Sequence, residues 1–194
     1  MTKRILVAAL LGGIALFVWE FVAHMISGLG EAGVRGLDNE AAVMDALKQN
    51  IKTPGFYMFP APLDKPGMTA EERRQNMREM QVKLSTGLSG MMVVHPEGQA
   101  SLTGGQLMTQ FGADLVVMLL AAWLLAQVGA SAGYGGRLLF VTSLAVVPIL
   151  RSELPYWNWY GFPGVYIASQ ATIHVVGFFV AGLILAWLVK PAVK

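Results

Sequence analysis

A chain of 194 residues that is 55% hydrophobic and only 13% charged, with a mean hydropathy of +0.54, is not composed like a soluble domain, in which about a quarter of residues carry charge. Its net charge of +2 is spread along the chain without a Lys/Arg run, which argues against a nucleic-acid partner. The absence of cysteine excludes a disulfide framework, thiolate metal sites and cysteine nucleophiles.

In chain order, the first element is an apolar run over residues 5–27 that follows "MTKR". It is about long enough to cross a bilayer, which takes about 20 residues. The run resembles a signal peptide at its start, but it is long and offers no small-x-small cleavage site before Gly28, so it reads as a retained anchor. It carries Glu20 and His24 four residues apart, hence on one helix face.

Residues 28–106 change character, with charges of both signs, glycine and proline between short apolar runs. "LDNEAAVMDALKQNI" predicts a helix capped by Asp38 or Asn39, with Val43, Met44, Leu47 and Ile51 on one face. "PGFYMFP", bracketed by Pro54 and Pro60, predicts a strand. "MTAEERRQNMREMQVKLS" predicts a second helix with a Thr69/Glu72 capping box and an apolar stripe of Met77, Met80 and Leu84. "GLSGMMVVHPEG" predicts a second strand. The expected unit is a two-stranded sheet covered by two helices. Since two strands do not stabilise themselves, neighbouring spans or a partner chain must complete the packing. The methionines of this stretch suit core and interface packing better than copper(I), because only Met77 and Met80 have a Met-x-x-Met spacing.

Three further spans are expected over 107–128, 137–153 and 165–189. The third is short, with about 13 residues between Arg137 and Arg151 interrupted by Pro148. Small residues for close helix approach are Gly12, Gly13, Gly112 with Ala113, Gly177 and Gly182. Lys3, Arg4, Arg137, Lys190 and Lys194 fall at one end of the spans, whereas "SELPYWNWYGFPG" at the other holds Glu153 and no base. By the positive-inside rule both termini are then cytoplasmic, and Tyr156, Trp157, Trp159, Tyr160 and Tyr166 form an outer interfacial belt.

The expected fold class is thus a membrane all-α protein: transmembrane helix 1 within residues 1–27, a small extracytoplasmic (periplasmic) α/β domain over 28–106 inserted between helices 1 and 2, and transmembrane helices 2–4 within 107–194, completing a four-transmembrane-helix bundle. Glu20, His24, Asp114, Arg151, Glu153, Gln170 and His174 all fall towards the outer ends of their spans. Charge inside a bilayer costs about 3 kcal/mol on insertion scales, so these groups are expected to meet as one intramembrane polar cluster. Three roles are open to it. It can orient the helices through hydrogen bonds and ion pairs. Glu20, His24, Asp114 and His174 can form a nitrogen and oxygen metal set, although "ExxxH" is not "HExxH" and Arg151 opposes a cation. It can also be a proton or small-ligand site in which a histidine titrates. No nucleotide loop, nucleophile elbow or haem motif occurs, no cofactor is required, and no catalytic residue is assigned.

The function expected from these features is an accessory or assembly subunit of a larger membrane complex, of respiratory or photosynthetic type, without catalysis of its own. Its partners would be membrane lipid and other membrane subunits, and its place the bacterial inner membrane. The alternatives are a metal- or cofactor-binding membrane protein using the polar site, and a periplasmic ligand sensor.

Overall fold

The computed structural model describes residues 2–61, 66–128 and 132–190. Four of its segments are helices long and apolar enough to cross a membrane: Lys3–Met25, Gly104–Gln127, Tyr134–Tyr160 and Gly164–Leu188. In chain order the elements are α1 (Thr2–Met25), a 3-10 turn (Leu29–Glu31), α2 (Glu40–Asn50), β1 (Gly55–Phe59), α3 (Ala70–Thr86), β2 (Gly90–Val94), α4 (Gly104–Gln127), α5 (Tyr134–Ser143), the single turn α6 (Val146–Pro148), a π-helical turn (Ile149–Glu153), α7 (Leu154–Tyr160) and α8 (Gly164–Leu188). Lys194, one of the bases used to orient the spans, lies outside the described residues.

The chain divides into two compact units, one formed by residues up to Arg35 with those from Ser101, the other by Gly36–Ala100. In the first, α1 packs along both α4 and α8, and α5 packs along α8. The core joins Ala8 and Leu16 of α1, Met118, Ala122 and Leu125 of α4, Val141 of α5, and Phe178, Ala181 and Leu185 of α8. Backbone approach here depends on missing side chains. A Cβ at Gly13 would stand 2.7 Å from Leu115 Cδ2, one at Gly177 2.7 Å from Leu16 Cδ1, and one at Gly182 3.1 Å from Leu138 Cδ1, while one at Gly12 would overlap Leu185. Gly112 is the exception, since a Cβ there meets nothing.

The third span is longer than expected. The helix runs on through "ILRSELPYWNWY", which includes most of the segment read as a connection, to Tyr160. Pro148 lacks an N–H, and beyond it the backbone widens into the π-turn, with Leu154 N–H bonding to Ile149 O five residues back. Pro155 then falls in the first turn of α7, where a missing donor costs little. A helix therefore passes both Pro148, expected to interrupt it, and Pro155.

Beyond α1 the chain folds back onto α8: the Ser169 hydroxyl donates to Leu29 O. Gly33 has φ +84°, and a Cβ there would lie 2.8 Å from Val165 Cγ1 and 3.1 Å from the Tyr166 backbone nitrogen. Gly33→Ala combines a left-handed backbone with this collision and is expected to destabilise the chain by about 2 kcal/mol, read as a lowered unfolding midpoint in detergent.

In the second unit β1 and β2 form an antiparallel ribbon with Phe56 opposite Val93 and Tyr57 opposite Met92. Asn39 caps α2, its side chain accepting from Ala42 N–H. The Thr69/Glu72 capping box forms as expected: Thr69 N–H and hydroxyl both donate to Glu72 Oε2 at 2.7 Å, and Glu72 N–H donates to Thr69 Oγ1 at 3.3 Å. The backbone and then the hydroxyl hydrogen bond from Thr69 hold the Glu72 carboxyl below its ordinary range. A depressed folded-state value stabilises above the unfolded pKa, and that contribution is lost as pH falls through the folded value. Thr69→Ala is therefore expected to speed amide exchange in the first turn of α3 roughly fivefold near neutral pH, and Glu72→Gln to remove the acid dependence of that exchange.

One ribbon face, with Tyr57, Phe59, Met92 and Val94, is half-buried, while Phe56 and Val93 on the other are exposed. Of the stripe of Met77, Met80 and Leu84 only Met80 is half-buried: Met77 is 60% and Leu84 45% exposed. The physical reason is the narrowness of that stripe on a helix otherwise crowded with charge, which gives little apolar area to bury.

Candidate functional site

The polar site is built where α1 meets α4. Thr103 caps α4, its hydroxyl accepting from Gln106 N–H in a second capping box, and this fixes the helix two turns before Gln110. The Gln110 side-chain amide nitrogen donates to Glu20 Oε2 at 2.8 Å and to Asp114 Oδ1 at 3.0 Å. Reversing the amide would aim its oxygen at two carboxylates, so hydrogen-bond chemistry fixes its orientation. Asp114 is 3% exposed, and its second oxygen, Oδ2, has no hydrogen-bond partner among the described residues.

A second pair joins the third span to α8. His174 Nε2 lies 3.5 Å from Glu153 Oε1, a contact that is ionic when the imidazole is protonated. Glu153 sits in the π-turn and is 7% exposed, with Oε2 unpartnered among the described residues. The turn brings the carboxyl inward although its neighbour Arg151 faces out. His174 and the Glu20, Gln110 and Asp114 group line one cavity of about 410 Å³ between the four spans, whose remaining wall is apolar. A second recess, of about 240 Å³, lies on the other side of the Glu20 and Gln110 pair and reaches His24, Met25 and Leu102. The Glu20 to Gln110 hydrogen bond is a wall common to both.

The expected seven-residue cluster thus assembles in part. Glu20 and Asp114 are bridged, Glu153 and His174 are paired, and His174 shares the cavity with the bridged group. His24 does not turn to the Glu20 carboxylate. Its Nδ1 lies 2.9 Å from the Glu20 backbone oxygen, and its ring packs against Gly30. Arg151 is exposed and, among the described residues, forms no ion pair; Gln170 is half-buried and makes no side-chain hydrogen bond there. Among the described residues no three His, Asp or Glu side chains gather closely enough to hold a metal ion. The expected metal set of Glu20, His24, Asp114 and His174 does not gather as one site.

Gln110 is the residue the sequence reading missed. It stands one turn before Asp114 and bridges both carboxylates, but a neutral amide does not stand out among ionisable groups. Trp19 is a second such residue, its indole N–H donating to Ile173 O at 2.9 Å across α1 and α8. Two of the aromatic residues expected at the interface pack on Phe162, Tyr156 at 5.0 Å and Tyr166 at 5.3 Å between centroids. No family model, no curated protein and no solved structure matches the chain.

Proposed function

We propose that the protein is an accessory subunit of a larger membrane complex, without catalysis of its own, held in a bacterial inner membrane by its four apolar helices. In this reading both termini are cytoplasmic and residues 36–100 form a periplasmic unit that docks on a partner subunit. The observation that carries it is the state of that unit. Among its described residues none is buried, and one ribbon face leaves Phe56 59% and Val93 65% exposed beside Met58. A two-stranded ribbon is marginal in water, and a protein surface seldom leaves contiguous apolar groups uncovered without a use. A partner that covers the face or extends an open strand edge supplies the missing burial.

Native mass spectrometry of the full chain extracted from its own membrane in mild detergent tests this. A stoichiometric complex is expected, and it should dissociate in a Phe56→Asp, Val93→Asp variant that leaves the transmembrane helices intact. A partner-free monomer, or a complex indifferent to both substitutions, would refute the reading.

A further inference from the structure

We propose that the cavity between the four apolar helices is a binding site for an amphiphilic amine, a protonated nitrogen head on a single apolar body, admitted from the lipid phase. The inference is independent of the partner-docking reading, because every residue it uses belongs to the helical unit.

The argument is a balance of donors and acceptors. An amide nitrogen carries two hydrogens, and Gln110 spends both, one on Glu20 and one on Asp114. His174, the one imidazole on the wall, has Nε2 directed at Glu153. Among the described residues no lysine or arginine lines the cavity. What remains at its polar end is acceptor capacity and negative charge: the second oxygen of Glu20, with the buried Asp114 carboxyl behind it. Two carboxylates held by one nitrogen repel each other when ionised. A ligand head that donates N–H to the free Glu20 oxygen and carries positive charge offsets that repulsion. A quinone or ketone head brings acceptors to a place already full of them. A phospholipid amine brings a phosphate whose charge the carboxylates oppose, which leaves the simple amine as the better match.

The rest of the wall selects the body of the ligand. Val117, Leu120, Leu124, Val147 and Phe178 give the cavity an apolar lining, and about 410 Å³ lies within the usual range for small-ligand pockets. Val117 and Leu120 are themselves partly exposed on the helix surface, so an apolar chain reaches the site laterally without crossing a polar barrier.

The test uses the full chain in phosphatidylcholine nanodiscs with decylamine as probe, decanol as the neutral donor, decanoate as the anion and decyltrimethylammonium as the cation without N–H. Saturable decylamine binding with a raised unfolding midpoint is expected. Decanol and decyltrimethylammonium should bind at least about tenfold more weakly, and decanoate should not bind. Glu20→Gln and Asp114→Asn should each weaken decylamine at least about tenfold, and Val117→Trp, which fills the cavity from the lipid side and leaves the carboxyls in place, should abolish binding. If Asp114→Asn does not fold, Glu20→Gln and Val117→Trp decide alone. No saturable decylamine binding up to about 1 mM, equal binding of decanol or decanoate, or amine binding unchanged in Glu20→Gln and Val117→Trp would each overturn the proposal.

Discussion

Replacing Gly177 by leucine is expected to cost about 3 kcal/mol, the upper part of the range for overpacking a well-packed contact. Even the first added atom has no room: a Cβ at 177 would lie 2.7 Å from Leu16 Cδ1 and 3.0 Å from Trp19 Cδ1. Leu16 is core, and Trp19 is held by its hydrogen bond to Ile173 O one turn earlier on α8. Neither neighbour yields without breaking something else. Because lipid is as apolar as leucine, the two helices have little hydrophobic reason to stay together once close packing is lost. Unfolding by SDS titration of the detergent-solubilised chain measures the effect. Leu16→Ala in the Gly177→Leu background should recover part of the loss, since the two residues are in contact and their effects do not add. A change in stability below about 0.5 kcal/mol would show that α1 and α8 do not meet closely at Gly177.

The four long helices were legible in the sequence because hydropathy is a local property summed over about 20 residues, and the α3 cap because a capping box is a four-residue pattern. The third helix was cut short at residue 153 for the opposite reason. Whether a proline ends a helix depends on what the backbone does next, and the π-turn after Pro148 together with the first-turn position of Pro155 absorbs both. The polar site divides along the same line. That Asp114 and Glu20 need a partner follows from burying charge, but that Gln110 is the partner depends on how α1 and α4 are set against each other. His24 sits on the expected face beside Glu20, but its Nδ1 meets the Glu20 backbone oxygen rather than the carboxylate: face follows from sequence spacing, whereas rotamer follows from packing, here against Gly30.

Gln110→Leu is expected to destabilise the chain by about 3 kcal/mol and to do so through the carboxyls it abandons. The substitution removes two hydrogen bonds at once, those to Glu20 Oε2 and Asp114 Oδ1. Asp114 would then be buried with both oxygens unsatisfied, since Oδ2 has no partner among the described residues even in the native site. The cost of stranding a buried charged acceptor exceeds the net worth of the bond that held it. This asymmetry supplies the discriminating measurement. In the triple variant Gln110→Leu, Glu20→Leu, Asp114→Leu no polar group remains to be stranded, and apolar replacement of a buried polar network is often neutral or stabilising. SDS unfolding should therefore place the triple variant well above Gln110→Leu and near the native chain. If Gln110→Leu unfolds like the native protein, the amide does not bridge the two helices. If the triple variant is as unstable as the single one, the loss comes from packing at position 110, and the carboxyls have another source of hydrogen bonds.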